Sequence, residues 1–384
     1  MKDLRPETEA ELAAIVRDTS EPLRIRGGGT RPIGVPVNGA PLTTAGLSGI
    51  DLYEPGALTL VAKAGTPVAE VETALAAEGQ RLAFEPMDHR GLLGTEGEPT
   101  IGGVFAANVS GPRRIQCGAA RDFLLGVRFV DGRGEVIRNG GRVMKNVTGY
   151  DLVKLMAGSY GTLGILTEVA LKVLPKTQVT GSLACEGLGD ETAIAALCRA
   201  LGSPFEVTGA AHSQAGPEGA ARTVIRIEGT EASVAYRAAE LQKVLAAFGE
   251  FTIDTDPDST KATWRAIRDV QPFHGTDGDI WRLSVKPTDA PGLVARIDGA
   301  EALYDWGGGL IWLCVPKGTA GQDIRTAIAK TGGHATLIRG TRGGGVFQPL
   351  APPVAALQEG LRKRFDPKGL LNPGLMAQAR EAAE

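Results

Sequence analysis

Cysteine is scarce in this 384-residue chain: Cys117, Cys185, Cys198 and Cys314 are all there is. No pair has C-x-x-C spacing and none sits near a histidine in a zinc pattern. An iron–sulfur cluster takes four closely arranged thiolates, so the chain is not expected to hold one. The four read as free thiols of a reducing compartment. Histidine is as scarce. His89, His212, His274 and His334 lie at least 60 residues apart, with no H-x-H or E-H pair, so no metal site is expected. Aromatics are only 5%, too few for base-stacking platforms. With 41 basic and 44 acidic residues the net charge is −3, and no nucleic-acid partner is expected. No run approaches the roughly 18 apolar residues of a membrane span. The first 20 residues carry Lys2, Asp3, Arg5, Glu7, Glu9 and Glu11 without an apolar stretch, so no signal peptide is read. The expectation is a soluble, cytoplasmic protein, with peripheral attachment to the inner membrane through a complex left open.

Glycine is what abounds: 53 residues, about twice the usual share of ~7%. They follow no collagen period and should mark tight turns and close backbone approaches. Hydrophobic residues at 43% and charged residues at 22% exclude a disordered chain and a coiled coil. The length suits two or three domains.

A helix is expected from Thr8, which has capping-box spacing to Glu11, with Leu12, Ile15 and Val16 as its apolar stripe. Strands follow at 23–26, 58–64 and 81–85, with Thr66 and Pro67 opening a helix between the last two. After a glycine-dense stretch, 99–126, come a hairpin at 127–138 and a strand at 165–173. Past Pro175 the pattern changes. Strand-like and helix-like segments run βαββα over 179–248 and again from 281 to 339, as two ferredoxin-like units. Residues 250–280 read as a less regular bridge. A helix at 353–365 leads into a turn-rich tail.

Three glycine loops carry the chemistry. Arg26-Gly27-Gly28-Gly29-Thr30 follows a strand, where glycines let backbone N–H groups converge on a phosphate. Residues 99–103 (PTIGG) and 107–111 (ANVSG) leave room for a flat ring or a ribityl chain. Close helix packing also selects such small residues. GTLGI at 161–165 is the third. None is G-x-G-x-x-G in a βαβ frame, and there is no Walker motif.

In order and spacing these loops resemble the FAD-binding domain of the vanillyl-alcohol oxidase / p-cresol methylhydroxylase (PCMH-type) flavoproteins. The ending RFDPKGLLNPG at 364–374 resembles theirs too. Within that superfamily the chain is most similar to the E-type FAD-binding subunits of glycolate oxidases, on residues 143–152 (VMKNVTGYDL) and a modest length. The resemblance implies an α+β fold. A PCMH-type two-subdomain FAD-binding domain (1–175) is followed by a ferredoxin-like cap (176–335) and a C-terminal segment (336–384) returning to the first domain. It implies FAD held by Arg26, Gly27, Gly28, Gly29 and Thr30 at the pyrophosphate. Pro86, Thr100, Gly102, Gly103, Ala107, Ser110, Gly111, Gly118 and Asp122 complete the pyrophosphate and flavin site. Gly164 and Ile165 are assigned to the adenine half and Asn372 to the flavin.

Two departures matter. Many relatives link FAD to a histidine just after the glycine loop. Thr30 stands there, so FAD is expected to be noncovalent, with a thiol such as Cys117 the only other route. Relatives that oxidise D-2-hydroxy acids carry clustered histidines, which this chain lacks. His274, after Pro272-Phe273, is the one active-site candidate. Arg339 and Arg342 could clamp a carboxylate or form a solvated turn. The expected role is the FAD subunit of a complex oxidising glycolate. Its partners would be a paralogous catalytic flavoprotein and an iron–sulfur subunit, with a small 2-hydroxy acid as substrate. The alternatives are a self-sufficient FAD dehydrogenase of a D-2-hydroxy acid or sugar alcohol, and a scaffold that has lost FAD.

Overall fold

The computed structural model describes residues 3–142, 149–216, 219–319, 321–340 and 345–377. Most of the 143–152 stretch, and Arg342, lie outside them.

Helix Glu9–Asp18 begins at its expected cap: the Thr8 hydroxyl accepts the Glu11 N–H at 3.2 Å. The Glu11 carboxylate accepts the Glu7 N–H at 2.8 Å. Leu12 and Val16 are buried against Leu23, Leu42, Leu370 and Leu371, a small core joining both ends of the chain. Strand Leu23–Arg26 pairs in parallel with Ala40–Thr43 and runs straight into the first glycine loop.

A five-stranded antiparallel sheet follows, in the order Ile50–Glu54, Thr59–Lys63, Ile165–Lys172, Leu124–Val130, Val136–Gly140. Its apolar face packs on helices Val68–Ala77 and Ile101–Ala106. Thr66 does not cap the first of these. Pro67 is the N-cap, and the buried Thr66 hydroxyl is bonded to Gly49 and Lys63 instead. A hydroxyl with no solvent around it must satisfy itself locally. The strand expected at 81–85 is only Gln80–Arg81, paired with Leu174–Pro175. Glu85 has φ +48°, which turns the chain out of the extended region.

Beyond Pro175 the β-α-β-β-α-β order occurs twice and makes one eight-stranded antiparallel sheet. Its order is Thr252–Asp254, Val179–Glu186, Arg222–Gly229, Gly209–Ser213, Glu301–Asp305, Leu310–Val315, Asp279–Ser284, His334–Arg339. Each half thus has the strand order fourth, first, third, second. The halves meet through their second strands, with His212 opposite Tyr304. Leu183, Ile225, Leu241, Trp281, Ile311 and Leu313 belong to the core of this part. The bridge is more regular than expected. Helix Pro257–Arg268 is capped by Asp256, with Pro257 in its first turn, and buries Thr260, Trp264 and Ile267 on one face.

The tail returns to the first sheet. Helix Pro352–Phe365 ends with Phe365 against Phe129, ring centroids 6.2 Å apart. Asp366 then accepts the Leu370 and Leu371 N–H groups at 2.9 and 2.8 Å. That turn delivers Leu371 to Leu23.

Candidate functional site

A cleft opens where strand Leu23–Arg26 ends. Arg26, Gly27, Gly28, Gly29 and Thr30 line one wall; Thr100, Gly103 and Ala107 line another, and Asn372 lies on the tail side. Segments separated by about 70 and 270 residues are thus brought together. Gly27 and Gly28 are fixed by the protein itself. A Cβ at Gly27 would overlap the Thr100 hydroxyl, and one at Gly28 the Glu98 carbonyl. Gly29 is different: its φ is +76°, and a side chain there would meet only ordinary contact with Arg26. The N–H groups of Gly28, Gly29 and Thr30 donate to no acceptor among the described residues. Consecutive unpaired N–H groups in a glycine turn form an anion-binding concavity, which fits a pyrophosphate.

Thr100 caps helix Ile101–Ala106, accepting the Gly103 N–H at 3.2 Å. Gly102 packs on Ala64 and has no room for a side chain. Asn372 acts at one remove. Its Oδ1 accepts the Ile25 N–H at 2.7 Å, and its Nδ2 donates to Ile25 O and Tyr160 O at 3.2 and 3.0 Å. The amide is spent on holding the glycine strand and the 160 turn together. The tail motif therefore shapes the cleft from behind.

The other assigned residues lie outside this cleft. Pro86 borders the adjoining pocket with Asp88, Glu98 and Arg268. Ser110 accepts the Ala120 N–H at 2.9 Å, and Gly111 lies close to Glu85 and Arg268. Gly118, with φ +96°, packs on Asp122, whose carboxylate accepts the Ala119 N–H at 2.8 Å. Gly164 packs flat on Phe129, and Ile165 is in the amino-terminal core.

His274 and Arg339 turn out to hold loops. His274 Nε2 lies 2.8 Å from Asp269 O, and its ring fills the space over Gly91. Arg339 gives its terminal nitrogens to Leu92 O (2.8 Å), Thr276 O (2.6 Å) and Thr276 Oγ1 (2.7 Å). That partly buried guanidinium is engaged by loop carbonyls and a hydroxyl rather than lying in a solvated turn. The chain must place loop carbonyls and a hydroxyl around one cation here, and long-range folding alone creates that demand.

The first part of the chain and the second sheet are joined by exchanged ion pairs. Arg226 of the second sheet forks onto Glu85 of the first part, 2.9 Å on both arms. Arg113 of the first part forks onto Glu228 of the second, 2.8 Å on both arms. Arg81 adds a third contact to Glu228 at 2.7 Å. Burial pushes both carboxyls up, but the facing arginines win and hold Glu85 and Glu228 below the usual carboxylate range. Beside this latch burial lifts the Cys117 thiol to about 11, which leaves it unreactive.

Sequence reasoning missed three groups at this seam. His89 lines the cleft, and burial together with Arg31 holds it neutral. Trp306, with φ +53°, donates its indole N–H to Gly111 O at 3.1 Å across the seam. Arg282 lies 5.2 Å from the centre of the Trp306 ring. The alternation of Trp281 (buried) and Arg282 along a strand was the available signal for the last.

Comparison with known proteins agrees with this geometry. A family model described as "FAD binding domain" matches residues 3–140. Solved structures share the fold over nearly the whole chain. Alkyldihydroxyacetonephosphate synthase superposes with TM-score 0.70 at 17% identity, covering 97% of this chain and 76% of that one. p-Cresol methylhydroxylase superposes with TM-score 0.68 at 15% identity, covering 98% and 88%. The fold is the one shared with p-cresol methylhydroxylase, and the chain is an FAD-binding oxidoreductase. Among curated proteins, glycolate oxidase subunit GlcE of Escherichia coli K12 is 39% identical over 92% of both chains. Glycolate oxidase subunit GlcD of Bacillus subtilis is 44% identical over 84 residues, 22% of this chain and 18% of that one. The chain belongs to the glycolate oxidase subunit GlcE family. No helix among the described residues is long and apolar enough to cross a membrane.

Proposed function

We propose that this chain is the FAD-bearing subunit of a glycolate-oxidising complex and holds its FAD without a covalent bond. The observation that carries this is the intact glycine-loop cleft in a chain that matches GlcE over 92% of both chains. When bound, FAD supplies a two-electron acceptor for oxidation of a CH–OH group, glycolate giving glyoxylate with loss of two electrons and two protons. The free N–H groups of residues 28–30 would hold its pyrophosphate; Arg26 beside them is ion-paired with Asp3. Thr30 offers no imidazole for a covalent link, and the half-buried Cys117 offers a thiol rather than a thiolate.

Electrons then leave through partners: a paralogous flavoprotein on one side and an iron–sulfur subunit on the other. The four dispersed cysteines of this chain support the second, because they are not spaced to build a cluster. Attachment to a membrane would come through that complex. Co-expression with a GlcD-type flavoprotein and a cysteine-rich subunit should yield a co-purifying complex that oxidises glycolate. The isolated chain should bind FAD but turn glycolate over poorly. Turnover by the chain alone at about 1–1000 per second would instead establish a self-sufficient dehydrogenase.

A further inference from the structure

Three arginines at the seam form no ion pair among the described residues. Arg31 follows the first glycine loop, Arg114 lies beside the latch residue Arg113, and Arg282 is on strand Asp279–Ser284 of the second sheet. Arg114 and Arg282 stack on the Trp306 indole, 4.4 and 5.2 Å from its centre. Arg31 stacks on Tyr160 at 5.1 Å. Among the described residues no carboxylate forms an ion pair with any of the three, and Arg31 Nε is buried without a hydrogen-bond partner. The latch arginines beside them are paired: Arg113 and Arg226 with Glu85 and Glu228.

The acid facing Arg282 does not fill the role. Asp305 is buried, accepts the Trp306 N–H at 2.7 Å, and is pushed by burial up to about 7. Burial and the neighbouring cations Arg114 and Arg31 pull Arg282 down to about 10. Converging desolvated cations are unfavourable unless an anion completes the set. The pyrophosphate has its own donors in the 28–30 loop, and an oxidised flavin ring is uncharged, so neither supplies that anion. Guanidinium forks match a carboxylate in particular, and the walls offered by Trp306 and Tyr160 suit a small one.

We propose that Arg282, with Arg31 and Arg114, forms a binding site for a small carboxylate of the 2-hydroxy- or 2-oxo-acid class. This chain then carries its own substrate-type anion site beside the FAD cleft, with Arg282 on the second sheet and Arg31 and Arg114 on a loop and a short helix of the first part. The site deepens the functional reading above and rests on it for the choice of carboxylate.

The test uses the purified holoprotein and sodium oxalate, a carboxylate that is not oxidised here, at constant ionic strength. Oxalate should perturb the flavin absorbance and saturate. Arg282→Met should weaken that binding about tenfold or more, the size of one lost charge-assisted pair. Arg282→Lys should recover part of it. Arg114→Met, on the opposite side of the seam, should weaken it as well, and serves if Arg282→Met fails to fold. A wild-type protein that holds flavin but ignores oxalate overturns the site. So does unchanged oxalate binding in both methionine variants, or loss of flavin from them without any oxalate response in the wild type. A protein that purifies without flavin refutes the FAD reading separately. Oxalate stabilisation of that apoprotein in a thermal-shift assay, lost in Arg282→Met, would still support the anion site, and its absence would overturn it.

Discussion

Replacing Arg226 by methionine should loosen the seam between the two sheets by a predictable amount. Arg226 is 2% exposed and makes two 2.9 Å hydrogen bonds to Glu85, plus bonds to Thr208 Oγ1 at 3.2 Å and Thr208 O at 2.9 Å. It also stacks on Trp264 at 4.4 Å. Removing one partner of a buried pair costs about 3–5 kcal/mol. Glu85 keeps Arg113, through its N–H at 2.8 Å and its guanidinium at 3.0 Å, which favours the lower end. At roughly 2.1 cal/mol/K per residue, the unfolding entropy of a 384-residue chain is about 0.8 kcal/mol/K. The expected loss in Tm is therefore about 4–6 °C if the chain melts as one unit. Scanning calorimetry reads it directly. In the cycle with Glu85→Gln the double variant should lose less than the sum of the singles, because the two side chains share one interaction. A Tm loss below about 1 °C, or full additivity, would refute the claim that this pair fastens the seam.

Acid should open the same seam. Glu85 and Glu228 have folded values held below the ordinary carboxylate value of 4.5. Their contribution is therefore complete above about pH 4.5 and is lost as pH falls through the lowered values. Glu228→Gln should flatten the acid limb of a stability–pH profile, and an unchanged limb would contradict this. The glycines of the first loop should separate by mechanism. Gly28→Ala, colliding with the Glu98 carbonyl, should lower both stability and FAD content. Gly29→Ala, which would meet only ordinary contact with Arg26 but at φ +76°, should cost about 1–2 kcal/mol through backbone strain while reducing bound FAD. Equal behaviour of the two would overturn the distinction. Asn372→Ala removes three hydrogen bonds to Ile25 and Tyr160. It should weaken FAD retention without touching the cofactor and lower stability by about 1–3 kcal/mol. Unchanged FAD affinity would show that the tail does not shape the cleft.

How much of the molecule is legible in its sequence depends on the range of the forces involved. The Thr8 cap, the glycine loop after strand Leu23–Arg26 and the doubled βαββαβ order are local patterns, and local patterns show in sequence. Helix Pro257–Arg268 is legible in its Asp256-Pro257 start and its 260/264/267 stripe, although the expectation there was only a bridge. Thr66 has the look of a cap, but burial redirects its hydroxyl. The latch cannot be seen at all. Glu85 and Arg226 are 141 residues apart, Arg113 and Glu228 are 115 apart, and nothing near any of them announces a partner. For the same reason Arg339 resembles a substrate clamp until the carbonyls of Leu92 and Thr276 are placed around it. His89 and Arg282 are indistinguishable from ordinary surface residues until the two sheets close on them.

The most direct test is the absorbance spectrum of the purified chain, followed by acid or heat denaturation and separation of the precipitate. Bound FAD near one per chain, all of it released into the supernatant, is the predicted result. A colourless protein would contradict FAD binding in the 27–30 cleft, and yellow colour remaining with the precipitate would contradict the noncovalent site.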